Sequence, residues 1–228
     1  MITKKEIKII KTMWQNSCCG KKWVMTVVFI LLATVWKTLC AINPEEMGVD
    51  ISMFFLVAAG MMPMEIFILN GISGFVQSSP CQKINQTKLA SFLLGGGLLI
   101  MFVYEGIHCL ILGSVLHGNP EVYLKQMLLF GILACLFGIS ATFLYKFFWG
   151  AMVVLYLVCF IGGFLAGFFM KHLESVGISQ LPLSWPACVL LGIVLVILGA
   201  FGNYAVSFLF FKRRFSKHAF GDIMKKMV

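Results

Sequence analysis

The chain has 228 residues, 60% of them hydrophobic and only 12% charged, with a formal net charge of +9 and a mean hydropathy of +0.95. A soluble domain carries about 25% charged residues, so this composition excludes a soluble globular protein. A spanning helix uses about 20 apolar residues, so the length accommodates about six spans with short loops and no additional soluble domain of ordinary size. In the bilayer core only helices and closed barrels satisfy their backbone groups. The apolar runs here are continuous rather than alternating, so the expected fold is an all-α polytopic membrane protein.

Residues 1–16 have the pattern of an amphipathic interfacial helix. At about 100° per residue, Lys4, Lys5, Lys8 and Lys11 share one side, while Ile2, Ile7, Ile9, Ile10, Met13 and Trp14 share the other. Such a helix lies in the headgroup plane with its lysines toward anionic lipid. No cleavage site for a signal peptide follows it. Cys18-Cys19 reads as an interfacial pair, with a palmitoylation or redox site as the alternative.

Six spans are expected within a membrane domain of residues 17–211: about 23–41, 51–76, 89–116, 127–144, 147–169 and 186–211. The turns around Asn43-Pro44-Glu45-Glu46 and His117-Gly118-Asn119-Pro120-Glu121 join spans on one side. Tyr145-Lys146 is a tight turn on the other side, and residues 171–185 form the longest connection. Pro63 removes a backbone donor from span two and is expected to kink it. Between spans two and three lies a polar break, residues 77–88, in which Ser78-Ser79-Pro80 is a helix-start signature. It reads either as an ordinary basic loop or as a short helix lying across the membrane surface. Residues 212–228 form a basic tail.

Lysine and arginine fix the orientation. With six spans, all of the 18 basic residues except Lys37, Lys125 and Lys171 fall on the side of the termini. Both termini are therefore expected in the cytoplasm, in a multi-pass protein of the cell membrane, of bacterial plasma-membrane type. The positive charge sits at membrane edges rather than on a folded face, which argues against nucleic acid and for membrane lipid as its partner.

Few residues carry chemistry. Glu65 and Glu105 are the acids deep in the spans; a central carboxylate costs roughly 2.5–3.5 kcal/mol on the insertion scale and normally faces protein or water. Each is read as a substrate or proton site or as a packing contact. Glu105 and His108 share a helix face and are expected to pair. Gly163-x-x-x-Gly167, with Gly192, Gly199 and Gly202, permits close helix approach. Asn203 is a candidate for a polar network or for simple packing. Gly71-Ile72-Ser73-Gly74 has the form of an intramembrane serine protease motif, but His108 lies more than roughly 25 Å away along the membrane normal, and a serine needs its base within about 3 Å. The eight cysteines are scattered without a CxxC or CxxH spacing, so no metal site is expected. No constellation for enzyme catalysis is legible.

The order of these features resembles the small permease subunits of ABC-2-type ABC transporters. A basic amphipathic helix precedes span one, like that family's elbow helix. Ser79-Pro80-Cys81-Gln82-Lys83-Ile84-Asn85-Gln86-Thr87-Lys88 is similar to the family's coupling segment, and Arg213-Arg214-Phe215-Ser216-Lys217-His218-Ala219-Phe220 to its closing tail. The resemblance covers essentially the whole chain. Cys81 and Gln82 depart from it, standing where more polar or charged residues are common.

The resemblance implies a dimer of like or unlike permeases, each docked through Ser79, Pro80, Cys81, Gln82, Lys83, Ile84 and Lys88 on a separate cytoplasmic ATPase. ATP and magnesium would be bound by that partner and no cofactor by this chain. Spans two and five would line the interface, placing Pro63, Glu65, Gly163 and Gly167 near the pathway, with Glu105, His108 and Asn203 as further candidates. The expected function is export of an amphipathic or lipophilic substrate: a peptide (antimicrobial peptides included), a lipid or a drug. An ATP-independent carrier or channel using Glu65 or Glu105, and a non-transporting membrane adaptor, are the alternatives.

Overall fold

The computed structural model describes residues 20–42, 51–70, 82–117, 120–147, 149 and 183–213. The surface-helix residues Lys4, Lys5, Lys8, Lys11 and Trp14 lie outside these, as do Ser79, Pro80, Cys81, Gly163, Gly167 and the tail beyond Arg213. Among the described residues all regular structure is helical, with no strand. In chain order the helices are α1 (Gly20–Ile42), α2 (Ser52–Asn70), α3 (Gln82–Ile84), α4 (Ala90–Leu112), α5 (Pro120–Lys125), α6 (Met127–Lys146) and α7 (Trp185–Leu209). Wider π-type turns, Asn85–Leu89 and Gly113–His117, flank α4.

Among the described residues four stretches are long and apolar enough to cross a membrane: Trp23–Ile42, Gln82–Val115, Tyr123–Lys146 and Trp185–Leu209. The apolar part of α2, Ser52–Ile68, is shorter. Proline sets the start of two helices. Pro120 opens α5 and Pro186 stands in the first turn of α7, positions where the missing N–H would have no intrahelical acceptor. Pro63 stands inside α2, and the helix continues through it.

The interior combines an apolar core, Leu56, Leu94, Leu98, Phe130 and Val196 among it, with buried polar side chains, and the outer surface is apolar. Lys37, Glu105, Thr142, Asn203 and Ser207 are buried, while Leu31, Val35, Val103, Leu190, Ile197 and Phe201 are exposed. Water would make such an outer surface unfavourable; lipid does not. The chain is a membrane protein by this pattern and by the four long apolar helices among the described residues.

Cross-helix contacts fix the register. Thr34 meets Tyr104 and Thr38 meets His108, so α1 and α4 are parallel. A Cβ built on Gly60 would fall 3.1 Å from Leu98 Cα and 3.2 Å from the Gly97 carbonyl oxygen. A Cβ on Gly97 would overlap the Gly60 carbonyl itself. The α2–α4 crossing is therefore made backbone to backbone, and Met64 beside Asn203 with Ser91 beside Asn203 makes it antiparallel. On α6 and α7, Gly131 meets Gly192 and Gly138 meets Gly199, which makes those two helices parallel. One end of the bundle, here the upper, carries Ile42, Ser52, Met127 and Trp185. The lower carries Gln82, Lys146 and Leu209.

The helix that contains α4 begins earlier than the apolar run. Ile84, Leu89 and Ala90 all have right-handed helical backbone angles, and Gln82–Val115 forms one helical stretch of 34 residues. At 1.5 Å per residue it is roughly 51 Å long, against about 30 Å of hydrocarbon. Gln82, Lys83, Ile84 and Lys88 are thus the first turns of this stretch, rather than part of a separate helix across the membrane surface. The hydrophobic run marks where lipid begins, and the helix runs on past it because Gln82 to Lys88 contains neither glycine nor proline.

Candidate functional site

The upper part of α1 and α4 encloses a charged pair. Lys37 is 2% exposed and Glu105 is fully buried, and the Lys37 ammonium donates to Glu105 Oε1. It also donates to Cys109 Sγ at 3.3 Å, and the Cys109 thiol lies 3.7 Å from the same carboxylate oxygen. Glu105 and Cys109 are four residues apart on α4, so one turn brings both to the same lysine. The pair is charge-neutral, which is how a lysine and a glutamate persist among apolar helices. Glu105 Oε2 receives no hydrogen bond.

A row of half-buried polar groups covers the pair along the α1–α4 seam. Thr34 Oγ1 donates to the Ile30 carbonyl at 2.7 Å, so it accepts from the Tyr104 hydroxyl at 2.6 Å. Thr38 Oγ1 donates to the Thr34 carbonyl at 2.7 Å, which leaves it to accept from His108 Nε2 at 3.5 Å. From the side, Tyr123 of α5 is within electrostatic reach of Lys37 and Cys109.

This corrects two expectations. Glu105 pairs with Lys37 of another helix, not with His108, because α4 turns the His108 ring to the seam beside Tyr104 while Glu105 points inward. Lys37, counted with the basic residues of the far side although it falls within the first expected span, belongs to the interior. The sequence signal for it was available, since Leu39, Cys40, Ala41 and Ile42 continue the apolar run beyond it. Cys109 and the hydroxyls of Thr34 and Tyr104 carry no signal that separates them from other residues of apolar helices.

A second polar cluster lies lower in the bundle, around Asn203, which is fully buried. Asn203 Oδ1 accepts from the Thr142 amide at 3.2 Å and its hydroxyl at 2.7 Å, and Asn203 Nδ2 donates to Ser91 Oγ at 2.9 Å. The Thr142 hydroxyl proton is then committed, so Ser207, at 2.5 Å, is the donor to Thr142. The cluster joins α4, α6 and α7, with Met64 Sδ of α2 at 3.9 Å from Asn203.

Glu65 belongs to neither group. It is half-buried on α2, within electrostatic reach of Tyr145 on α6. In the Gly60–Gly97 register it lies roughly 20 Å below Glu105 along the bundle, so the two acids do not form one site. Pro63 packs on α4, its Cγ 3.3 Å from where a Gly97 Cβ would stand.

At the lower end, Lys146 closes α6 by bonding two neighbours. Its ammonium donates to Gln86 Oε1 at 3.1 Å and to the Phe210 and Phe211 carbonyls at 2.7 and 3.2 Å. Lys83 stands over the rings of Phe208 and Phe211, 4.5 and 5.2 Å from their centroids, and Arg213 over that of Phe147 at 3.8 Å. The first turns of the 34-residue helix are thereby tied to α6 and α7. Among the described residues no three His, Cys, Asp or Glu side chains are arranged to hold a metal ion. Comparison with protein-family models, with characterised proteins and with solved structures finds no match for this chain.

Proposed function

We propose that the chain is the membrane-spanning permease subunit of an ABC exporter of the ABC-2 type. In this reading it has six spans and cytoplasmic termini, sits in a bacterial plasma membrane, and pairs with a second permease. ATP and magnesium are bound by a separate ATPase, and the cargo is an amphipathic or lipophilic molecule.

The observation that carries the reading is the lower end of the 34-residue helix. A coupling segment must convert a push from a soluble partner into movement of membrane helices. Residues 82–88 continue without a break into α4, and Lys146 and Lys83 fasten them to α6 and α7. A force applied at the start of this helix would be delivered to three helices together. The parallel register of α6 and α7 supports an odd number of crossings between them, as six spans require. The small number of polar groups in the apolar spans favours a lipophilic cargo over a sugar or a free ion.

The test is purification of the tagged protein in mild detergent with identification of its companions. A co-purifying chain of roughly 25–35 kDa with a Walker A motif is expected. Exchanging Pro80 and Lys83 is expected to abolish transport while leaving membrane insertion intact; normal transport by that variant would remove the coupling assignment.

A second reading, an ATP-independent carrier, is favoured by one observation, the buried Glu105 with an oxygen that accepts no hydrogen bond. It requires pH-driven transport by the purified chain alone in liposomes.

A further inference from the structure

An exposed row of aromatic rings runs down the outer face of α7 and ends on a lysine from another helix. Phe201, Tyr204 and Phe208 recur at spacings of three and four residues, so they share one face, and all three are exposed. Their ring centroids are 6.2 Å apart between Phe201 and Tyr204 and 6.3 Å between Tyr204 and Phe208. At 1.5 Å per residue the row covers roughly 10 Å of the helix. Lys83 of α3 stands at its foot, the ammonium 4.5 Å from the Phe208 centroid. The same ammonium is 5.2 Å from the centroid of Phe211, and that ring also has the Lys212 ammonium 6.0 Å from its centroid. Two cations from two segments therefore meet at the lower end of an apolar strip.

Both lysines are exposed, and among the described residues neither forms an ion pair with a carboxylate. An ammonium has three donors to place, and a ring face is a weaker partner for it than an anionic oxygen. Charge complementarity thus calls for an anion at the foot of the row. The exposed rings above it, with Leu209 exposed beside them, call for hydrocarbon. A zwitterionic lipid would bring its own cation toward the two lysines. A lipid with a net negative headgroup meets both requirements and is drawn to basic residues at the membrane edge.

We infer that the lower end of the outer face of α7, together with Lys83, is a binding site for a net-negative glycerophospholipid. Its phosphate is held by the Lys83 and Lys212 ammoniums, whose flexible four-carbon stems let both swing onto one group. An acyl chain lies along Phe208, Tyr204 and Phe201. Because Lys83 comes from the start of the 34-residue helix and Lys212 follows α7, the lipid clips the two together at the membrane edge. The site rests on the ring contacts and the unmatched charge, not on the permease assignment.

The experiment uses the full chain in mild detergent, titrated with a phosphatidylglycerol that carries a photoreactive diazirine in one acyl chain. Labelling is expected to saturate and to map to residues 201–209. Dioleoylphosphatidylglycerol is expected to compete. Dioleoylphosphatidylcholine, with the same chains and no net charge, is expected to compete at least about tenfold more weakly, as two juxtamembrane cations would require. Glycerophosphoglycerol and inorganic phosphate, which lack the chains, are expected not to compete at the same concentrations. These comparisons are made on the unaltered chain, so they need no variant to fold. Lys83→Gln is expected to weaken competition by phosphatidylglycerol about fivefold and to leave that by phosphatidylcholine unchanged, while Lys83→Arg retains it. Lys125→Gln removes the same charge at the upper end and is expected to change neither. Equal competition by the two lipids, or equal losses from Lys83→Gln and Lys125→Gln, would reduce the row to ordinary lipid-facing surface. Competition by glycerophosphoglycerol or phosphate at the concentrations of the lipid would make the lysines a site for a free anion and overturn the assignment of a lipid.

Discussion

Thr142 and Asn203 are joined twice inside the bundle, once through the Thr142 backbone amide and once through its hydroxyl, both to the same amide oxygen. The amide donor is available because Thr142 is close enough to α7 for a side chain to reach its backbone. Asn203→Leu removes that acceptor and also the donor to Ser91. Interhelical hydrogen bonds in membranes are individually modest, averaging about 0.6 kcal/mol, but this change leaves several buried partners unsatisfied. A loss of about 1–3 kcal/mol is expected, measured as a reduced midpoint of thermal unfolding in detergent. An unchanged midpoint would mean that the cluster does not hold α4, α6 and α7 together.

The α6–α7 contact rests on glycines seven residues apart on both helices. A Cβ on Gly131 would stand 2.6 Å from Gly192 Cα, and one on Gly199 would stand 2.8 Å from Cys135 Cα and 2.9 Å from the Ala134 carbonyl oxygen. These neighbours are backbone and cannot rotate away. Gly131→Ala and Gly199→Ala are each expected to cost about 1–3 kcal/mol, in the range of overpacked cores. Gly96 is the internal comparison, since a Cβ there meets nothing within 4 Å. Gly96→Ala is expected to be neutral or slightly stabilising, because alanine is the better helix former. Equal effects at the three positions would show that helix propensity, not close approach, governs the response.

The Lys37–Glu105 pair makes a prediction of opposite signs. Lys37→Met alone leaves a buried carboxylate without its counter-ion, and a loss of about 3–5 kcal/mol is expected. Glu105→Met alone strands the ammonium with a similar loss. Lys37→Met/Glu105→Met removes both charges and substitutes apolar side chains, which is often neutral or stabilising at buried pairs. The double variant should therefore unfold close to the unaltered chain and well above either single one. Additive losses in a double-mutant cycle would mean that the two charges act on other groups rather than on each other.

How much of this was legible in the sequence depends on what kind of information each feature needs. The helical class and the placing of α1, α4, α6 and α7 follow from runs of apolar residues, which are local. The glycines at 192, 199 and 202 were legible as close-approach positions because small residues in a span have few other uses. Their partners Gly131 and Gly138 require the register between two helices, which no local pattern contains. Counting Lys37 toward the far side fails for a related reason. A lysine four residues from the end of an apolar run can extend toward the headgroups, and only a carboxylate on another helix at its own level turns it inward. The early start of the helix containing α4 was hidden because hydropathy reports the solvent around a helix and not its ends.

Lys146 carries the last prediction. Its ammonium reaches Gln86 in the first turns of the 34-residue helix and the Phe210 and Phe211 carbonyls at the end of α7. Those carbonyls follow Leu209, the last residue of α7, where intrahelical donors run out; the Phe210 carbonyl also accepts the Arg213 N–H at 3.0 Å, and the lysine adds a donor to both. Lys146→Met keeps a similar volume and removes the donors. Residues 82–89 and 206–213 are then expected to exchange their amide hydrogens faster, while residues 100–112, on the far side of the Asn203 cluster, are expected to keep their protection. In a permease driven from this end, the same change should lower transport more than it lowers ATP hydrolysis by the partner, because the push would no longer reach α6 and α7 together. Unchanged exchange at both segments would mean that the aromatic contacts of Lys83 and Arg213 suffice to hold the lower end. Faster exchange with undiminished transport would detach this end of the bundle from the coupling role.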